Sequence, residues 1–152
     1  MLEFAHVVTG ATLATKIGNP AFSFPLCLAS NFLIDLLPHW NPHLYTEKKK
    51  FGCLKPKTVL FLFMDSSFGL ILGLIIAFTA PDTKSFFIII LGSFLAVLGD
   101  LVEAPFYLFD WQNGLVKKLI AFQRNHQWNV PFWPGMISQI AYVLILLTII
   151  SL

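Results

Sequence analysis

The chain has 152 residues, of which 57% are hydrophobic and only 12% are charged. Soluble domains carry roughly 25% charged residues, so this composition excludes a water-soluble core and requires lipid to cover much of the surface. A formal net charge of +2 is too small to indicate a nucleic-acid partner, and two cysteines are too few for a disulfide framework. The length predicts a single transmembrane domain over residues 1–152.

Five apolar segments follow one another along the chain and predict an all-α membrane bundle of about five helices. The first, at residues 4–17, lacks the basic region of a secretory signal, so we expect it to be retained. It is shorter than the roughly 20 residues of a full span, and a re-entrant hairpin with the second segment is the alternative. The second, at 21–37, follows a Gly-Asn-Pro turn and ends before Pro38. The other three lie at residues 58–80, 85–109 and 134–152.

Two long loops, at residues 39–57 and 110–133, separate these segments. The second loop contains residues 115–122, which predict a short amphipathic helix at the membrane interface. A helix packed on the bundle is the alternative interpretation. No segment of the sequence has the pattern of a β-strand.

The distribution of cations predicts the orientation. With five segments, the N-terminus and both long loops share one side of the membrane. Only Lys16 and Lys84 lie on the side opposite the long loops. The side of the long loops holds eight cations: Lys48, Lys49, Lys50, Lys55, Lys57, Lys117, Lys118 and Arg124. The positive-inside rule then predicts a multi-pass protein of the inner (cytoplasmic) membrane, with its N-terminus in the cytoplasm and its C-terminus outside.

Polar residues within the membrane are costly, so each one requires a partner. Seven candidates converge on the cytoplasmic half of the predicted bundle: His6, Asp35, His39, Asp65, Asp100, Glu103 and His126. From the rise of a helix, Asp65 lies roughly 10 Å deep and Asp100 roughly 13 Å deep. Asn31, Asp35 and His39 are spaced i, i+4, i+8, which predicts that they share one helix face.

The chemistry of these seven residues predicts a metal site. They are carboxylates and imidazoles, and no lysine or arginine lies at the same depth to neutralise them. Clustered carboxylates in a low dielectric repel one another, and a divalent cation removes that repulsion. Each residue also has a plainer explanation: the histidines as interfacial or loop residues, Asp35 as a cap for backbone groups, and Glu103 as a solvated side chain. Asp65 and Asp100 are the hardest to explain in this way, because they lie deepest.

Four sequence elements resemble a known family. They are His6 with Gly10, the run from Asn31 to Trp40, the run from Gly92 to Glu103, and Asn125-His126 followed by Trp133-Pro-Gly135 and Gln139. Their order resembles the bacterial membrane-bound metal-dependent hydrolases, which are distantly similar to zinc-dependent phospholipases C. The family usually has a histidine at the position of Asn31, and often a proline at that of Gly99.

The expected function is therefore a membrane-embedded, metal-dependent hydrolase acting on a phosphoester, phospholipid or lipid-linked, at the cytoplasmic leaflet. We expect a divalent metal, zinc first with manganese or magnesium as alternatives, held by His6, Asp35, His39, Asp65, Asp100 and His126. Glu103 and Asp65 are the expected catalytic residues, and membrane lipid is the expected partner. The alternatives are a non-catalytic membrane protein with a structural polar or metal-binding cluster, and an ion or proton pathway.

Overall fold

The computed structural model of the chain describes residues 1–152, and all of its regular secondary structure is helical. The helices are α1 (Glu3–Ile17), α2 (Pro20–Leu33), α3 (Leu44–Phe51), α4 (Pro56–Phe78), α5 (Thr83–Phe109), α6 (Gly114–His126) and α7 (Phe132–Ser151). A 3-10 turn, Ile34–Leu36, follows α2. The all-α prediction is confirmed, and the one extended contact is an isolated bridge between His39 and Asn129.

Three helices, α4, α5 and α7, are long and apolar enough to cross a membrane, judged by length and composition. In the most apolar 18-residue stretch of each helix, only 17% to 39% is buried inside the molecule, so most of this apolar surface faces outward. Helices α1 and α2 have only 15 and 14 residues. The count of five membrane helices therefore stays a prediction, whereas three long apolar helices are a property of the structure.

Helix α1 lies at the centre of the bundle. It contacts α2, α4, α5 and α7, and the structure buries ten of its residues. A helix that is apolar on all sides is stable when other helices surround it. This position explains how a segment too short to span a membrane alone is accommodated.

Small residues let α1 approach α5 closely. A Cβ atom added to Gly10 would lie 2.4 Å from the carbonyl oxygen of Gly92, and one added to Gly92 would lie 2.7 Å from the Cβ of Ala14. The thiol of Cys27, on α2, donates to the carbonyl of Gly10 at 3.4 Å. Contacts of this kind between small residues are typical of helices packed within membranes.

The end of α2 differs from the sequence prediction. The helix stops at Leu33, and after the 3-10 turn Leu37 is extended, because a residue before proline is driven out of the helical conformation. His39 then lies in a loop, where its amide donates to the carbonyl of Trp128 at 3.1 Å. The prediction that Asn31, Asp35 and His39 share one helix face is therefore wrong for His39.

Both predicted long loops contain helices. Residues 115–122 lie within α6, so the expected short helix exists and is longer than predicted. Helix α3 was not predicted, because its run of charges has no apolar periodicity and none of its residues is buried. The carboxylate of Glu47 stabilises its connection to α4 by accepting from the amide of Lys55 at 2.5 Å and the hydroxyl of Thr58 at 2.8 Å.

Candidate functional site

The N-terminal end of α1 is buried, and side chains from other helices satisfy its backbone. The amide of Leu2 donates to Oε1 of Gln139, on α7, at 2.8 Å. The amides of Glu3 and Phe4 donate to the two carboxylate oxygens of Asp65, on α4, at 2.7 and 3.3 Å. The first amides of a helix have no partner within it, so Asp65 and Gln139 act as caps. Asp65, predicted as a ligand and catalytic residue, thus has a capping role that its position in the sequence does not reveal.

Three predicted site residues, His6, Asp35 and His39, meet one helical turn further along α1 from this cap. The Nε2 atom of His6 lies 3.6 Å from Oδ1 of Asp35, and Nε2 of His39 lies 3.7 Å from the same oxygen. The N-terminal ammonium group of Met1 also bonds to this carboxylate. His6 and His39 are completely buried, and Asp35 is 6% exposed. The structure thus brings together residues from α1, from the turn after α2 and from the following loop.

Both histidines present nitrogen atoms that no hydrogen-bonding partner satisfies. Nδ1 of His39 lies 2.8 Å from the carbonyl of Leu37, and because a carbonyl only accepts, this nitrogen carries the proton. Nε2 of His39 is then a free acceptor, and it is buried without a hydrogen-bond partner, as are both ring nitrogens of His6. A histidine held by a backbone carbonyl with its other nitrogen free is typical of a metal ligand.

Asp100 joins the cluster from α5. Its Oδ2 atom lies 3.7 Å from Nε2 of His6 and accepts from Nδ2 of Asn31 at 2.8 Å. Asn31 also donates to the carbonyl of Ala96 at 2.8 Å, while its own oxygen accepts from Gln123 at 3.1 Å. Asn31 is therefore fully used as a hydrogen-bonding residue that positions Asp100.

The carboxylates of the cluster line a cavity of about 570 Å³, whereas His6 and His39 are completely buried and do not line it. Asp35, Asp65, Asp100 and Glu103 all line it. Glu103 is 6% exposed, and its Oε1 atom has no hydrogen-bond partner. Apolar side chains of α4 and α5 also line it, namely Val59, Leu62, Phe63, Leu101 and Leu108, and all of these except Leu62 are exposed. The cavity therefore combines an acidic floor with an apolar wall.

One predicted ligand lies apart from the others. His126 is exposed, does not line the cavity, and stacks on Phe122 with 4.2 Å between the ring centroids. Its Nδ1 atom lies 2.8 Å from the carbonyl of Phe122, within the last turn of α6. The helix directs this side chain to the surface, so the structure does not bring His126 to the cluster.

Gln123 is a site residue that the sequence analysis missed. It is 7% exposed and belongs to the buried face of α6 together with Val116 and Ile120. The spacing of these three residues places a polar amide on an apolar helix face. A polar residue at the spacing of an apolar helix face is a pattern from which the sequence could have predicted a buried role for Gln123.

The donor set can be compared with the requirements of a metal ion. Imidazole nitrogens and carboxylate oxygens are ligands that zinc takes in proteins, and two ligands of a tetrahedral zinc lie about 3.4 Å apart. The separations of His6 and His39 from Asp35, 3.6 and 3.7 Å, are close to this value. No three His, Cys, Asp or Glu side chains are arranged around one point as a metal site. The residues therefore fit an ion in their chemistry and pairwise spacing, without forming a complete ligand set.

Comparisons with known proteins give no relative for this chain: no family model, no curated protein and no solved structure matches it.

Proposed function

We propose that this is a multi-pass membrane protein whose acidic cavity is the site of a metal-dependent phosphoesterase acting on a lipid or lipid-linked substrate. The observation that carries the proposal is the pair of buried imidazoles, His6 and His39, whose Nε2 atoms make only long contacts, of 3.6 and 3.7 Å, with Oδ1 of Asp35. Polar atoms without a close partner are rare in protein interiors, and a bound cation would supply one for these nitrogens. The outward-facing apolar surfaces of α4, α5 and α7 support the membrane location.

In this proposal, His6, Asp35, His39 and Asp100 would hold the ion, which would take the place of the Met1 ammonium group beside Asp35. When bound, a divalent ion lowers the pKa of a water ligand toward about 7 and polarises a phosphoryl oxygen. The carbonyl of Leu37 orients the ring of His39, and Asn31 orients the carboxylate of Asp100. These contacts fix both side chains before a substrate binds.

Glu103 is the proposed general base. It lines the cavity one helical turn from Asp100, and its Oε1 atom has no other partner. A carboxylate in this position accepts a proton from a water molecule that attacks a phosphoester. General base catalysis typically contributes 10²- to 10⁴-fold to a rate.

The lining of the cavity supports an amphiphilic substrate. A phosphate-containing headgroup fits the polar floor, and an acyl or prenyl chain fits the apolar wall formed by α4 and α5. In the orientation predicted from the cations, this cavity opens at the inner leaflet.

A structural role for the same cluster is the second candidate. The hydrogen bonds of Asn31 favour it, because both Ala96 and Asp100 engage its amide as they would in a network that only joins helices. An ion pathway is disfavoured. The close contact between Gly10 and Gly92 lies between the cluster and the other end of α1 and α5.

Metal binding separates these candidates. Binding to the folded state adds RT ln(1 + [L]/Kd), about 2.7 kcal/mol at a hundredfold excess over Kd, so Zn²⁺ or Mn²⁺ should raise the melting temperature of the purified protein and a chelator should lower it. His39→Gln and Asp100→Asn should weaken this response. The matched control, His126→Gln, removes an exposed histidine outside the cavity and should leave the response unchanged. A wild-type protein without metal response or metal content would refute the metal site.

Catalysis needs a separate test. Metal-loaded protein in lipid nanodiscs should release the headgroup from a labelled phospholipid, and Glu103→Gln should slow this release by about 10²-fold or more while keeping the metal response. Metal binding without hydrolysis of any phosphoester lipid would leave a metal-stabilised structural protein and overturn the enzymatic part of the proposal.

A further inference from the structure

A second cavity, of about 540 Å³, lies between α3 and α6 beneath the end of α5. We call it the basic cleft. Its charged lining residues are four cations and a single acid: Lys48, Lys49, Lys117, Arg124 and Asp110. Tyr45 and Arg124 line both this cleft and the acidic cavity, so the two spaces are neighbours.

One of the four cations is already neutralised. The ammonium group of Lys48 lies 3.0 Å from Oδ1 of Asp110, and the Lys48 side chain is only 10% exposed. It also lies 5.3 Å from the centroid of the Phe106 ring. The hydrogen bond and charge of Lys48 lower the pKa of Asp110. This pair forms one side of the cleft, with the Asp110 side chain 68% exposed.

The other three cations make no ion pair with an acidic side chain, and Lys117 acts on Asp110 only through its charge. Lys49, Lys117 and Arg124 form no ion pair within the chain. The guanidinium carbon of Arg124 lies 3.7 Å from the centroid of the Tyr45 ring. Stacking on an aromatic ring holds a guanidinium group in place while its N–H edge stays available for an oxyanion.

We propose that the basic cleft binds the phosphate group of an anionic ligand, with Arg124 as the oriented donor and Lys49 and Lys117 as flanking charges. Arginine suits the planar, multidentate recognition of phosphate oxygens, and lysines add charge without strict geometry. The net positive charge of the cleft matches a phosphate, whose charge is negative at neutral pH. This site is distinct from the acidic cavity and requires neither a metal nor catalysis.

Two sources can supply this phosphate, a phospholipid headgroup or a soluble phosphate compound. Exposed apolar residues beside the cleft favour the headgroup, since Phe109 is 80% and Leu115 is 76% exposed. Such residues are suited to the acyl region beside a membrane surface, where clustered cations attract anionic lipid.

The test measures the melting temperature of the purified full chain in detergent as short-chain phosphatidylglycerol, phosphatidylcholine or inorganic phosphate is added. Phosphatidylglycerol should stabilise the wild-type protein. In the Lys49→Gln/Lys117→Gln double variant its half-saturating concentration should rise about tenfold or more, because each cation near an anionic lipid contributes about 1 kcal/mol. Arg124→Gln should weaken binding in the same direction.

The matched control is Lys50→Gln/Lys118→Gln. It removes two charges from the neighbouring positions of α3 and α6 that do not line the cleft. If the control variant is still stabilised as the wild type is, the result supports the site. Stabilisation by phosphatidylglycerol alone indicates a lipid headgroup, whereas an equal effect of inorganic phosphate indicates a soluble source. Equal loss in both double variants, equal stabilisation by phosphatidylcholine, or no stabilisation by any addition would overturn the proposal.

Discussion

At the scale of single residues, the space around Asn31 is the tightest point of the site. A Cβ atom on Gly99 would lie 2.1 Å from Oδ1 of Asn31, whose amide is fixed by bonds to Ala96 and Asp100. Gly99→Ala should therefore displace Asn31 and destabilise the protein by about 1–3 kcal/mol. Gly114→Ala, where no atom lies within 4 Å, is the control and should be neutral or stabilising in a thermal unfolding measurement.

Asp65 allows a second prediction at this scale. Because both of its oxygens accept backbone amides of α1, Asp65→Ala should cost about 1–2 kcal/mol, the range of a lost helix cap, and Asp65→Asn should cost less. Neither change should abolish the response of the melting temperature to Zn²⁺. Loss of that response in Asp65→Asn, with unchanged stability, would instead identify Asp65 as the predicted metal ligand. The exposed neighbour Met64, which does not line the cavity, provides the control as Met64→Leu.

These residues also show which parts of the site the sequence predicts and which it does not. Depth and chemistry were enough to select Asp35, Asp65 and Asp100, which line one cavity. The sequence does not predict that Asp65 caps α1, because that role depends on how α1 packs against α4. His126 was selected for its residue type, whereas the helical phase that turns it outward depends on which face of α6 is buried.

At the scale of elements, the contact of α3 with the end of α5 predicts a pH dependence. Lys48 lowers the pKa of Asp110, so the stability that this pair adds is present above the unfolded pKa of aspartate, about 3.9, and is lost as the pH falls through the lower folded value. Protease cleavage around α3 should accelerate as the pH falls below about 4 in the wild-type protein. In Asp110→Asn cleavage should be faster above this pH, and the pH dependence that remains should come from Glu47, whose hydrogen bonds to Lys55 and Thr58 also lower its pKa.

Asp82 supplies the control for this experiment. It caps α5 by accepting from the amide of Ser85 at 2.8 Å, and that hydrogen bond lowers its pKa without any contact with α3. Asp82→Asn should leave the pH profile of cleavage around α3 unchanged. A similar profile in wild type and Asp110→Asn would mean that the ion pair does not hold α3.

At the scale of the whole molecule, the chain's own cysteines test its orientation. Cys53 is exposed in the segment predicted to be cytoplasmic, whereas Cys27 is completely buried. A membrane-impermeant maleimide should label Cys53 only after the cells are permeabilised. In a Cys53→Ser background, Leu152→Cys should be labelled in intact cells. The reverse pattern would place the acidic cavity and the basic cleft on the outer face.

The apolar wall of the acidic cavity affects how the proposed hydrolysis must be assayed. Phe63, 70% exposed, and Leu108, 46% exposed, belong both to this wall and to the outward surface of α4 and α5. A detergent alkyl chain resembles a lipid chain, so detergent monomers compete for the same space. The apparent Michaelis constant for a lipid substrate should therefore increase with detergent concentration, and a bilayer nanodisc should restore the lower value.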